Sequence, residues 1–265
     1  MAITLRSRRE IELIRKAGAV VADVLSKLQE IARPGITTAQ LDSMASQMTA
    51  AAGAQALFKG VRNPLSPIAF PACVCVSINE QVVHGIPSEK VRLKDGDILS
   101  IDFGVKLEGY CGDAAVTMGI GEISKDRRRL IAVTKQVLDI AIAKSAPEAK
   151  WSRVAAEMQQ YAESAGFSVV RDFVGHGIGR KMHEEPRVPN FVSEELLAND
   201  IVLREGMVLA VEPMINAGTK DVRTLKNGWT VVTKDGKCSA HFEHTIAIAK
   251  NGCEVLTIKG NRSLR

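Results

Sequence analysis

The sequence predicts an α/β chain of the α+β type, with helices packed on a sheet and two related halves. Three observations predict it. From Ile98 to Leu107 the apolar residues Leu99, Ile101, Phe103, Val105 and Leu107 alternate with Ser100, Asp102, Gly104 and Lys106, which is strand periodicity. A helix–helix–strand order occurs twice along the chain. Finally, the nonapeptide from Lys94 to Asp102 and that from Arg204 to Glu212 agree in kind at eight of nine positions, Asp97 against Met207 being the exception. A duplication explains all three, with one domain over 1–265 and related halves at about 7–120 and 121–258.

In chain order, Ser7 and Glu10 fit a capping box, and Ile11, Ile14, Ala17, Val21, Val24, Leu28 and Ile31 follow at helical spacing until Pro34-Gly35. Thr37 to Gln40 opens a second helix with Leu41, Met44, Ala45 and Met48 inward, ended by Gly53. A proline-rich loop (Pro64, Pro67, Pro71) leads to a strand at 74–78. Glu108-Gly109 is the turn after the alternating strand, because glycine accepts positive φ. Ser124 caps a third helix carrying Leu130, Ile131, Val133, Val137, Leu138, Ala141 and Ile142, and a fourth runs over 152–165 to Gly166. Strands are expected at 167–170, 207–212, 229–233 and 241–248, with Asp235-Gly236 as a turn.

A chain of 265 residues with 46% hydrophobic side chains buries a substantial core. The net charge of +5 is mild and no Lys/Arg run exceeds Arg127-Arg128-Arg129. Dedicated nucleic-acid binding is therefore not expected, although transient proximity to an acidic assembly such as a ribosome is compatible. Five cysteines with no CxxC argue against a disulfide scaffold or a thiolate zinc site and fit a reducing cytoplasm. The charged N-terminus and the lack of an apolar run near ~18 residues exclude a signal peptide and a membrane span as readings.

With the turn at Glu108-Gly109, Asp102 faces Ala115 and Asp113 faces Gly104, so both carboxylates share one face about 7–8 Å apart between Cα atoms. Alone, the pair reads as solvated surface aspartates. On a half-buried sheet they repel unless something positive sits between them. The duplication adds Glu212 at the position of Asp102, so the two should meet near a pseudo-twofold axis. Gly175-His176-Gly177-Ile178-Gly179 places a histidine in a glycine loop that neighbouring backbone can approach. It matches neither GxGxxG nor the Walker spacing, and HExxH, GxSxG and a Cys/His nucleophile pair are absent. Cys75 and Cys111 read as buried thiols. What remains is Asp102, Asp113, His176, Glu212 and Glu243, a set that suits two divalent cations about 3.5–4 Å apart. Oxygen-rich ligation with one imidazole favours Mn, Fe, Co or Zn without choosing among them.

Ile101-Asp102 with its partner Asp113, the glycine-flanked His176, His183-Glu184-Glu185-Pro186, Val211-Glu212-Pro213 and Phe242-Glu243-His244-Thr245 resemble the ordered five-ligand signature of type I methionine aminopeptidases, of the M24 metallopeptidases. The similarity runs from about Arg9 to Leu256 and includes Ser77-Ile78-Asn79-Glu80 and His84-Gly85-Ile86-Pro87. The resemblance implies a pita-bread fold: a curved, mostly antiparallel sheet with outer helices and internal pseudo-twofold symmetry. It implies hydrolytic removal of the initiator methionine from nascent proteins and N-terminal Met peptides when the second residue is small. Asp102 would chelate one metal, His176 and Glu212 the other, and Asp113 and Glu243 would bridge both. A hydroxide between the metals would attack the scissile carbonyl, Glu212 would shuttle the proton to the leaving amine, and His183 and His84 would contact the substrate. Phe70, Cys75, Met182 and Trp229 match pocket-lining positions. A monomer in the cytoplasm is the family-like expectation.

The chain departs from the family pattern at four places. Met182 replaces a phenylalanine, the 60–69 loop lacks a tyrosine, His241 stands for a glutamine near enough to alter the site or bind metal, and Cys111 stands for a histidine. Met is a suitable flexible wall for a methionine pocket. Two alternatives retain the fold: cleavage of proline-containing peptides, whose enzymes generally carry an additional N-terminal domain, and a non-catalytic binding module, which would have lost ligands.

Overall fold

The computed structural model describes residues 3–260. Capping boxes start both early helices: Ser7 and Glu10 exchange bonds at α1 (Arg8–Ile31), and Thr37 and Gln40 do so at α2 (Thr38–Ala51). Next come β1 (Gln55–Ala56), β2 (Cys75–Ile78), β3 (Gln81–Val83), β4 (Ile98–Leu107) and β5 (Tyr110–Gly119). The Ser124 hydroxyl caps α3 (Lys125–Lys144), and α4 (Trp151–Ser164) follows. The remainder is β6 (Ser168–Val169), β7 (Gly175–Gly177), β8 (Glu184–Val188), α5 (Glu194–Ala198), β9 (Val208–Val211), β10 (Met214–Asn216), β11 (Val222–Thr224), β12 (Val231–Thr233), β13 (Ser239–His241), β14 (Glu243–Ala249) and β15 (Gly252–Val255). No helix among the described residues is long and apolar enough to cross a membrane.

The main sheet is ordered β1-β4-β5-β14-β9-β7-β8, with β2 on β4 and β15 on β14, and every pairing is antiparallel. Its middle pair is β5–β14, flanked by β4 on one side and β9 on the other. These flanking strands are where the two copies of the repeated nonapeptide end. Two short sheets, β13-β10-β6 and β11-β12-β3, complete the sheet structure.

Helices cover one face of the main sheet. Leu99, Ile101, Phe103 and Val105 of β4 bury against Val21, Leu25 and Leu28 of α1 and Leu41 of α2. Leu209, Val211, Ile246 and Ile248 of β9 and β14 bury against Leu130, Val137, Val154 and Met158 of α3 and α4. Burial on this scale stabilises the chain by roughly 25 cal/mol per Å2 of apolar surface. Because side chains alternate along a strand, the opposite face is left to the polar residues.

Two expectations need correction. The segment 241–248 is not one strand: it breaks at Phe242, whose N–H donates to Pro213 O at 3.3 Å, so that β13 joins β10 while β14 joins the main sheet. The glycine loop around His176 is itself a strand, β7, set between β8 and β9. Its glycines are required by close approach, since a Cβ at Gly175 would strike Ala210 O and one at Gly177 would strike Glu185 O.

Candidate metal centre

Register decides which side chains meet. Asp102 pairs with Ala115 and Gly104 with Asp113 across the β4–β5 hairpin, whose turn holds Glu108 and Gly109 at φ 49° and 84°. Glu243 of β14 also pairs with Ala115, which puts it on the same inner face as Asp102 and Asp113. Val211 pairs with His244, so Glu212, one step on, turns to that face as well. His176 pairs with Ala210 and points the same way. Five residues spread over 142 positions of sequence, from Asp102 to Glu243 inclusive, thus converge because each has the same parity in one sheet.

Ligand atoms of Asp113, His176 and Glu243 lie within 4.8 Å of one another, and all three residues are buried. His176 Nε2 stands 3.5 Å from Glu212 Oε1. Its Nδ1 lies 2.9 Å from Gly177 O. A carbonyl only accepts, so Nδ1 carries the proton and Nε2 keeps its lone pair toward the carboxylates. Asp113 Oδ1 and Glu243 Oε1 are buried with no hydrogen-bond partner, a costly state that a cation or a proton relieves. Burial raises Asp102 above the ordinary carboxylate range, and burial with the Asp102 charge raises Asp113 well above it. Burial, Asp102 and Asp113 raise Glu212, and burial, Asp113, Glu212 and Asp102 raise Glu243. Such a cluster holds protons in the absence of metal and fits divalent cations well: acidic oxygens, one oriented imidazole, no thiolate.

Metallopeptidase family M24 matches residues 12–250. The chain belongs to that family. A methionine aminopeptidase of Clostridium perfringens is 49% identical over 256 residues, 97% of this chain and 99% of the relative. The crystal structure of methionine aminopeptidase from Thermotoga maritima superposes with a TM-score of 0.92 at 40% identity, covering 97% of this chain and all of that one. The prolidase of Pyrococcus furiosus shares the fold at a TM-score of 0.72 and 19% identity, with 97% of this chain on 66% of its own. The architecture is thus the pita-bread fold, and M24 membership brings with it the use of divalent metal.

Beside the candidate ligands of this M24 peptidase lies an apolar wall. Phe58, Phe70, Ala72, Cys75 and Trp229 form one buried cluster, with Met182, Ile86 and Leu57 packed on it. Cys75 pairs directly with Asp102, so the cluster abuts the carboxylates. Burial first, then the nearby carboxylates, push its thiol well up, leaving it a neutral wall rather than a nucleophile. Phe70 meets Trp229 edge-on at 5.2 Å, and Trp229 meets His84 at 6.4 Å. His183 rests on His176 at 4.4 Å between ring centroids. Burial and the neighbouring His183 lower His84 and His176 to about 4, and partial desolvation lowers His183, which opens onto the cleft. A cavity of about 750 Å3 links His84, His176, His183 and Glu212 to solvent.

His241 is buried in β13 with Nε2 unpartnered, and burial together with His84 lowers it to about 3. It is not in the Asp113–His176–Glu243 group whose donor atoms lie within 4.8 Å of one another. Some supporting residues escaped sequence reasoning. Thr245 Oγ1 donates to Asp113 O at 2.8 Å and accepts from Asp113 N at 3.1 Å, and Asn190 Nδ2 donates to Glu212 O at 3.1 Å. Phe58 follows the two-residue strand β1, and Asn190 lies in a loop, so neither sits in a segment long enough to carry a period.

Proposed function

We propose that the chain hydrolyses the bond after an N-terminal methionine, in peptides and nascent proteins with a small second residue. The observation that carries this reading is the Cys75–Asp102 pairing: a buried apolar cluster, suited to packing one unbranched side chain, abuts the carboxylates. An amino-terminal residue seated there sets its own scissile bond beside the ligands. Asp102, Asp113, His176, Glu212 and Glu243 would hold two divalent cations, of Mn, Fe, Co or Zn. When bound, these supply Lewis acidity to the carbonyl and lower the pKa of water.

The chain's own residues do the rest. Phe70, Cys75, Met182 and Trp229 bind the methionine side chain and exclude water from it. Glu212, which lines the cavity together with His176, holds a proton on its carboxylate and passes it to the departing amine. His183 donates to the carbonyl oxygen as negative charge develops there. His84, 5.5 Å from Phe173 between ring centroids, closes the other side and contacts the substrate. This crowd of rings supports a small second residue.

Both halves, 7–120 and 121–258, contribute ligands, so the working unit is one catalytic domain over 1–265. We place it in the cytoplasm as a monomer, close to emerging chains at the ribosome, without dedicated nucleic-acid or membrane contacts. Release of methionine from Met-Ala-Ser, compared with cleavage of an Ala-Pro peptide, tests the reading. Fast turnover of the first alone supports it. Preference for Ala-Pro supports the proline-specific alternative, and no turnover of either supports a non-catalytic module.

A further inference from the structure

We propose that Arg6, in the arm before α1, is a positioning residue that holds His183 over His176. The inference rests on the role given to His183 above. The side chain of Arg6 is only 6% exposed, and a cation is buried to that degree only when paired. Its Nη2 contacts Glu184 Oε2, and its Nη1 lies 3.5 Å from Glu10 Oε1. Glu184 is the residue after His183, and its other oxygen accepts from Lys181 N at 3.0 Å, which ties off the 181–184 turn. The Arg6 backbone N–H donates to Gly206 O at 2.7 Å, in the turn that leads into β9 and Glu212. One residue therefore ties the turn bearing His183 to the approach of a ligand strand.

The chain clears space for this link at two glycines. A Cβ at Gly179 would strike the Arg6 guanidinium, and a Cβ at Gly206 would come 2.8 Å from Arg6 O. Without the Arg6–Glu184 contact, no other ion pair among the described residues fixes the 181–184 turn. His183 then samples positions away from the scissile carbonyl.

The test measures R6A, R6K, E184Q and the R6A/E184Q double variant on Met-Ala-Ser at saturating Mn(II), alongside trypsin cleavage after Arg180 or Lys181 mapped by mass spectrometry. R6A and E184Q should each lower kcat by about 10- to 100-fold with KM within about 3-fold, since small misplacements of a positioned group act on the chemical step. R6K should recover most of the loss, the double variant should be no worse than the poorer single variant, and tryptic cleavage at the turn should quicken in R6A. Should R6A fail to fold, E184Q, far from the arm in sequence, decides alone. Unchanged kcat with unchanged cleavage, or losses that multiply in the double variant, would overturn the proposal. If the unmodified protein releases no methionine, the functional reading fails, while the cleavage arm still decides whether Arg6 fixes the turn.

Discussion

Gly104 lies directly opposite Asp113 across the β4–β5 hairpin, and a Cβ on Gly104 would come 2.9 Å from Asp113 Oδ1 and 3.3 Å from the Phe58 ring. The carboxylate occupies the space that any larger residue would take. Replacing Gly104 by alanine should rotate Asp113 away from His176 and Glu243 and weaken cation binding by at least about 10-fold, the scale seen when a ligand's support is removed. Calorimetric titration of the metal-stripped variant with Mn(II) reads this directly, and an affinity equal to that of the unmodified protein would refute it.

Glu212 and His183 are assigned to proton transfer and to the developing oxyanion. Glu212→Gln and His183→Ala should each reduce turnover of Met-Ala-Ser by about 100-fold or more. Near-normal turnover in either variant would remove that residue from the mechanism.

The raised carboxylates make stability depend on pH with a definite sign. Asp102, Asp113, Glu212 and Glu243 all bind protons more tightly in the folded chain than in the unfolded one. The stability these four groups contribute to the metal-free protein is therefore fully present below about pH 4, where unfolded carboxyls are protonated too, and is lost as pH rises through the raised values. Cations replace those protons, so the gain in Tm on adding Mn(II) should be larger near pH 8 than near pH 6. Thermal melts of stripped and reloaded protein at both pH values check it, and an equal or smaller gain at the higher pH would contradict it.

Trp229 links the pocket to the loop beside it, because its indole N–H donates to Ile68 O at 3.0 Å while its ring packs on Phe70. Trp229→Ala should cost about 3 kcal/mol of stability and raise KM for Met-Ala-Ser. Cation affinity, which depends on the other side of Asp102, should stay unchanged. A denaturant melt, steady-state kinetics and a metal titration separate these effects, and a loss of cation affinity would show that pocket and ligands are not independent.

The hairpin was legible in the sequence because nine of the ten residues of β4, Leu99 to Leu107, alternate in character with a period of two, and period fixes face. The repeated nonapeptide marked β4 and β9 as equivalent, and the capping residues Ser7, Thr37 and Ser124 marked three helix starts. The structure of β7 was hidden. Three residues of Gly-His-Gly hold no period, and only their long-range pairing with β8 and β9 makes them a strand. The pocket was hidden from pattern as well, since Phe58, Phe70, Cys75, Met182 and Trp229 come from five separate segments and share no spacing. Only resemblance pointed to four of them. Phe242, flanked by His241 and Glu243, gave no local sign that the chain changes sheets there.

The most direct measurement is methionine release from Met-Ala-Ser by chelator-stripped protein as Mn(II) is added back. The account predicts no release from the stripped protein and turnover that rises to saturation with added metal. Turnover indifferent to stripping, or none at any metal concentration, would contradict it.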